Sequence, residues 1–176
     1  MEKWYRPVFE DYRYGTTIWS PLAGGILSGK YNDGTAPDGS RYNVSKFAAD
    51  HIWPRYFGTE EKKANTTKIL QTLGAIATEL NVSQAQLALA WTLVNSDTST
   101  CIFGATRVDQ VEDNIKALDL AQRWTLEIEE KVNTALGNAP EPEVDFRNWT
   151  PMKSRRLVAL DLNMKDKAVK VSFPAK

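Results

Sequence analysis

Two short β-branched runs, each closing on glycine chemistry and each followed by a helical pattern, constrain this chain more than any other feature. Thr16-Thr17-Ile18-Trp19-Ser20 is stopped by Pro21, which has no N–H to donate to a central ladder. Thr98-Ser99-Thr100-Cys101-Ile102-Phe103 ends at Gly104. Strands that empty into such turns and then into helices are the βα grammar of an α/β protein. The spacing of apolar residues predicts the helices. Thr59 to Asn81 carries Ile69, Leu73, Ile76 and Leu80 on one side. Ser83 and Gln86 form a capping box for a helix to about Asn95, with Leu87, Ala90, Trp91 and Val94 on one face. Thr106 and Asp109 read as a second capping box, opening a helix with Val108, Val111, Ile115 and Leu118. Thr125 to Leu136 is a third Thr-started helix, with Ile128, Val132 and Leu136, ended by Gly137-Asn138. Before the first strand, Trp4, Tyr5, Val8, Phe9 and Tyr12 fit one face of a helix from Glu2 to Arg13, with Pro7 tolerated in its first turns.

Residues 32–58 read as a long loop, because Asn32-Asp33-Gly34, Pro37-Asp38-Gly39-Ser40 and Pro54 are turn chemistry. Tyr42, Phe47, Trp53, Tyr56 and Phe57 make it aromatic, so it is either a surface flap on aromatic anchors or a lid over a ligand. A linker-like Asn138-Ala139-Pro140-Glu141-Pro142-Glu143 follows the last helix. The division expected is a folded portion over 1–150 and a basic tail over 151–176. That tail holds seven Lys or Arg against two Asp. It reads as loosely attached, with Leu157–Leu160 and Ala168–Val171 as the strand-like alternative.

Composition narrows the function classes. Across 176 residues, 22 Lys and Arg balance 22 Asp and Glu, so no net field favours nucleic acid. The one cysteine, Cys101, cannot form an internal disulfide, and no Cys/His cluster exists to hold a metal. No run approaches the roughly 18 apolar residues of a membrane span. The expectation is a soluble, cytoplasmic protein without membrane insertion. His51 reads as an exposed loop histidine and Cys101 as a small core residue.

Two segments carry binding chemistry. Gly24-Gly25-Ile26-Leu27-Ser28-Gly29-Lys30 fits G-x-x-x-x-G-K, the phosphate loop of nucleoside triphosphatases. That loop needs Ser or Thr next, to ligate Mg²⁺, and a helix beginning at the lysine. Here Tyr31 follows, and Asn32-Asp33-Gly34 turns the chain at once. Both failures count against an ATP-binding P-loop protein. No G-x-G-x-x-G supports a Rossmann site either. What remains is an anion-binding turn with glycines, bare N–H groups and a lysine. The second segment is Gly104-Ala105-Thr106-Arg107 with Gln110, Asp113 and Asn114 on one helical face. Arg107 at a helix start conflicts with the macrodipole, and a bound phosphate would relieve the conflict. The alternative is a capped, solvated helix.

Ile18-Trp19-Ser20-Pro21-Leu22-Ala23-Gly24-Gly25-Ile26-Leu27-Ser28-Gly29-Lys30-Tyr31 resembles the strand-seven segment of aldo-keto reductases, in the branch with voltage-gated potassium channel β-subunits and their fungal relatives. Ser83–Trp91 resembles the helix before that family's last barrel strand. Ile102–Thr106 with Gln110, Asp113 and Asn114 resembles its final cofactor segment. The likeness runs from about Phe9 to Trp149. It implies the last two strands of a TIM (β/α)₈ barrel with their helices, binding NADP(H) at the C-terminal strand ends. By that resemblance Trp19 stacks on the nicotinamide, and Ser20, Pro21, Leu22 and Ala23 wrap the pyrophosphate. Lys30 and Arg41 contact the adenosine end. Thr106, Arg107 and Gln110, beside Gly104, hold the 2′-phosphate region, while Asn114 reaches the adenine. Asp113 stands where the family more often has Glu.

The family's catalytic Asp, Tyr, Lys and His lie in earlier strands, so the resemblance assigns no catalytic residue and no metal here. The implied partners are the nicotinamide cofactor and a small carbonyl substrate. The expectation is a truncated, NADP(H)-related oxidoreductase with little activity alone. A non-catalytic regulatory or interaction subunit, as channel β-subunits partly are, is the alternative, with a channel or a second copy as partner.

Overall fold

The strand and glycine grammar becomes a two-stranded parallel sheet. β1 (Thr16–Trp19) pairs with β2 (Thr98–Ile102) in the register Thr17↔Thr100, Ile18↔Cys101 and Trp19↔Ile102, with an irregularity after Thr16. The computed structural model describes residues 5–138 of the 176. The expected boundary at 150/151 and the basic tail lie outside the described residues.

The elements follow in the order α1 (Arg6–Tyr12), β1, a 3₁₀ stretch over Ala23–Ser28, α2 (Arg41–Val44), α3 (Lys46–His51), α4 (Trp53–Phe57), α5 (Glu60–Glu79), α6 (Gln84–Leu93), β2, α7 (Val108–Ile115), α8 (Ala117–Gln122) and α9 (Leu126–Leu136). Thr59 caps α5 by accepting from the Lys62 N–H, and Thr125 caps α9 from Ile128. Gly137 ends α9 in the left-handed region at φ 58°, where glycine carries no Cβ penalty. α1 meets its expectation only in part. Tyr5 and Tyr12 are exposed rather than buried on a common face, and residues 2–4 of the expected helix lie outside the described residues.

Two apolar clusters hold this frame. The larger joins α5, α6, α8 and α9 through Leu73, Ile76, Ala77, Leu87, Ala90, Leu120, Ile128 and Val132. The smaller gathers Ile26, Tyr31, Tyr42, Ala48, Phe57 and Leu70. Leu27 packs against both, and α5 serves both through Leu70 and Leu73. The smaller cluster corrects the loop expected over 32–58, which instead contains α2, α3 and α4. Each has only four to six residues, too short to persist alone. Ring packing stabilises them. Tyr31 meets Tyr42 and Trp53 edge-on at 5.4 and 5.8 Å, and Trp53 stacks on Phe57 at 4.1 Å. Ser45 caps α3 and Pro54 sits in the first turn of α4, so the turn residues start helices here.

The capping box of α6 forms as expected, since the Ser83 side chain accepts from the Gln86 N–H and the Gln86 side chain from the Ser83 N–H. The one expected at Thr106 does not. Arg107 is the N-cap of α7, without a side-chain cap, because the Gln110 Oε1 accepts from Thr106 N–H at 2.9 Å instead. The helix also breaks at Lys116, separating α7 from α8. Val108, Val111, Ile115 and Leu118, the apolar residues expected along this helix, are all exposed.

Asp113 of α7 ties that helix to the start of α6. Its Oδ2 accepts from Ser83 Oγ and its Oδ1 from Gln86 Nε2, both at 2.7 Å, and its carbonyl accepts from Gln86 Nε2 at 2.9 Å. Ser83 therefore serves as helix cap and as inter-helix donor. Ser83→Ala is expected to cost about 1–2 kcal/mol in urea unfolding, more than an isolated surface cap. Ser83→Thr, which keeps both bonds, is expected to recover most of it.

Candidate functional site

Parallel pairing sends both strand ends to the same side. Trp19 lies opposite Ile102, so the turn after β1 and the Gly104–Gln110 segment after β2 leave the sheet as neighbours. Trp19 itself is 70% exposed, with its indole available as a stacking face.

The turn after β1 is built from left-handed residues. Ser20, Ala23, Gly24 and Gly25 have φ of 57°, 50°, 69° and 102°. Ser20 and Ala23 adopt this region without glycine's freedom, a local strain of the kind that accumulates at ligand loops. Ala23 N–H donates to the Ser20 carbonyl and Gly25 N–H to the Leu22 carbonyl, which curls the segment after buried Pro21. Tyr42 secures it by donating its hydroxyl to the Ala23 carbonyl at 2.9 Å. Tyr31 does not face the turn as a ligand. It is fully buried against Tyr42 and Trp53, which removes the triphosphatase reading on structural grounds.

Two cations flank this turn. A Cβ placed on Gly24 would lie 3.8 Å from Arg41 Nη1, and one on Gly25 would lie 4.0 Å from Lys30 Cε. Arg41 opens α2, and Lys30 leans toward the Tyr31 ring at 5.8 Å. Among the described residues neither has an acidic partner. Backbone N–H groups in positive-φ turns beside a guanidinium and an ammonium suit a phosphate-bearing ligand.

The segment after β2 is differently committed. Gly104 has open space where a Cβ would stand, and Ala105, Thr106 and Arg107 are exposed. Arg107 pairs with Asp109 through two bonds of 2.9 and 2.8 Å. These bonds raise the guanidinium's pKa and hold the Asp109 carboxyl below its ordinary value. Gln110 faces back to Thr106, Asp113 is spent on α6, and Asn114 is buried. The structure thus gathers Ser20–Ala23, Lys30 and Arg41 around one turn. It turns Asp113 and Asn114 into the protein. Sequence reasoning passed over Tyr42 as a support of the turn, although the aromatic richness of the segment was its signal.

Residues 5–132 match the model of the Aldo/keto reductase family. This chain belongs to that family. Among curated relatives, the "Putative voltage-gated potassium channel subunit beta" of Schizosaccharomyces pombe is 38% identical over 147 residues, 84% of this chain and 41% of the relative. The "Probable voltage-gated potassium channel subunit beta" of Oryza sativa subsp. japonica is 34% identical, and that of Arabidopsis thaliana 32%, each match covering 84% of this chain and 43% of the relative. The chain therefore spans about two fifths of the length of these relatives. The aldo/keto reductase fold is of the TIM-barrel type. Two parallel strands with flanking helices fit a part of it.

No helix among the described residues is long and apolar enough to cross a membrane, and no group of His, Cys, Asp and Glu among them converges to hold a metal. His51 is exposed and stacks on Phe47, while Cys101 is half-buried against the Thr92 hydroxyl at 3.2 Å.

Burial raises the Tyr42 phenol to about 12, with the neighbouring Tyr31 adding to it. A raised folded value means the stabilisation is complete below the unfolded value of about 10 and is lost as pH climbs through 12. Tyr42→Phe is expected to lower stability by about 1 kcal/mol near neutral pH and to flatten the decline in Tm between pH 10 and 12. Gly24→Ala is expected to cost roughly 1–3 kcal/mol, through positive φ and the displaced Tyr42 hydroxyl. Gly104→Ala is expected to change chemical-denaturation stability by less than about 0.5 kcal/mol.

Proposed function

We propose that this chain is the C-terminal portion of an NADP(H)-dependent aldo-keto reductase barrel and carries one side of its cofactor groove. The adjacency of the two strand ends, with the cation-flanked Gly24-Gly25 turn on one of them, carries this reading. The residues fit the group. Trp19 offers a ring face for the nicotinamide, and Ser20 to Ala23 present curled backbone to the pyrophosphate. Lys30 and Arg41 neutralise phosphate at the adenosine end. Thr106, Arg107 and Gln110 stand at the 2′-phosphate region, beside open space at Gly104. Arg107 would exchange Asp109 for phosphate, and Asp113 would act by positioning α7 rather than by direct contact. Asn114 would follow from the same helix. NADPH, when bound, supplies the hydride for reducing a small aldehyde or ketone.

Proton donation belongs to the family's Asp, Tyr, Lys and His, which the resemblance assigns to strands upstream of this segment. The 176-residue chain alone is therefore expected to hold cofactor without turning over carbonyl compounds, in a soluble, cytoplasmic setting. A specific observation favours a second reading, a regulatory or interaction subunit of the channel β-subunit type. The exposed stripe Val108, Val111, Ile115 and Leu118 is apolar surface suited to a protein partner, either another copy or a channel. Co-purification of a channel, or concentration-dependent self-association, would favour it.

The cofactor reading is tested by titrating NADPH into the chain and following its fluorescence. Lys30→Ala and Arg41→Ala are each expected to weaken binding about threefold to tenfold, more steeply at low salt. No binding at millimolar NADPH overturns the cofactor reading. NADPH-dependent turnover of 4-nitrobenzaldehyde by this chain overturns the absence of catalysis.

A further inference from the structure

The sequence contains two Asp-Gly pairs, Asp33-Gly34 and Asp38-Gly39, and the fold treats them oppositely. In such a pair the glycine nitrogen can close on the preceding carboxyl carbon, since no Cβ on the glycine obstructs the approach. Asp33-Gly34 is locked. The Asp33 Oδ1 accepts from the Thr35 N–H at 2.9 Å and its Oδ2 from the Thr35 hydroxyl at 2.8 Å. These bonds hold the carboxyl below its ordinary pKa, and an ionised carboxylate is a poor electrophile. The Gly34 N–H donates to the Tyr31 carbonyl at 2.9 Å. Gly34 is also buried against α5, where a Cβ would stand 2.8 Å from both Lys63 Cε and Thr67 Oγ1. Asp38-Gly39 has none of these restraints. Both residues are exposed in a turn closed by the Ser40 N–H on the Pro37 carbonyl at 3.0 Å. Among the described residues the Asp38 carboxyl has no hydrogen-bond or ion-pair partner, and the Gly39 N–H has no acceptor. Open space surrounds Gly39 at φ 72°.

We propose that Asp38 is a site of isoaspartate formation, from which the fold protects Asp33. The Gly39 nitrogen bonds to Cγ of the protonated Asp38 carboxyl. The carboxyl hydroxyl leaves as water with the amide proton, giving a succinimide. Water then opens the ring at either carbonyl. Opening at the main-chain carbonyl of Asp38 routes the chain through the side chain, adds a methylene to the backbone and frees an α-carboxylate. Water is the only co-reactant. The altered linkage falls just before buried Ser40, whose carbonyl accepts from the Val44 N–H at 3.0 Å, at the entry to the helix that carries Arg41 and Tyr42. The partner this chemistry fits is a carboxyl methyltransferase that recognises isoaspartyl α-carboxylates.

The test warms the full 176-residue chain in mildly acidic buffer made with ¹⁸O-labelled water. Peptide mass mapping and methyl transfer by a purified isoaspartyl methyltransferase then locate the product. Isoaspartate is expected at Asp38 about tenfold faster than at Asp33, because Gly34 must first open locally. In urea the two pairs are expected to react at similar rates. Asp38→Glu is expected to abolish both ¹⁸O uptake and methylation in its peptide, since the larger ring closes far less readily. Equal rates at the two pairs in the folded chain overturn the proposal, as does a preference for Asp38 that survives unfolding. Methylation that persists in the Asp38→Glu peptide also overturns it.

Discussion

The candidate site depends on one pairing, the parallel register of Ile18 with Cys101 and Trp19 with Ile102. Parallel strands cannot be joined by a tight hairpin, so the connection must run through helices before it returns. Here α2 to α6 make that return, and they contain most of the buried apolar residues of both clusters. The length of the crossover is therefore also the source of the core. Were the strands antiparallel, the turn after Trp19 and the segment after Ile102 would leave from opposite ends, and no common groove would form.

On the proposed reading, positioning and recognition would compete for the same side chains on α7. Asp113 can hold the α6 cap or face a ligand, but its two carboxylate oxygens are already engaged at 2.7 Å. Charge-assisted bonds of this kind are expensive to exchange. Arg107 is the opposite case. Its partner Asp109 is exposed, and an exposed pair is held weakly enough for a phosphate to displace it. On the proposed reading the two ends of α7 would divide the work, with an adaptable cation at the N-cap and a fixed acidic tether six residues further on.

The strands, the long helices and the α6 capping box were legible in the sequence because each is encoded within a few neighbouring residues. Ser83 and Gln86 need only each other. The helices at 41–57 were not legible. Their turn-forming Ser45 and Pro54 look alike whether they end order or begin it, and the ring contacts that decide lie between Tyr31 and Trp53, 22 positions apart. Thr106 misled for a related reason. The motif for a cap was present, but Gln110 reached its N–H first. Of the site, the glycine turn and Lys30 were readable as chemistry. The placement of Arg41 beside Gly24 required the tertiary packing of Tyr42, the residue that follows it in α2.

The exposed stripe on α7 and α8 shows what periodicity does and does not encode. Val108, Val111, Ile115 and Leu118 recur at helical spacing, yet each is more than a third exposed. The sheet presents the same imbalance. Thr16, Ile18 and Cys101 are at least partly buried, while Thr17, Trp19 and Ile102 are open. A sheet face and a helix stripe of this kind normally find cover. The pattern in the sequence specifies that a surface is apolar, not which surface meets it. On the proposed reading, upstream barrel strands would cover both, placing Trp19 and Ile102 inside a barrel and the stripe against its wall. The two-stranded sheet's outer edges point the same way, since unpaired parallel edges are costly to leave bare. On that reading, the features that leave this chain open as a globule would be those that fit it as a sector of a closed barrel.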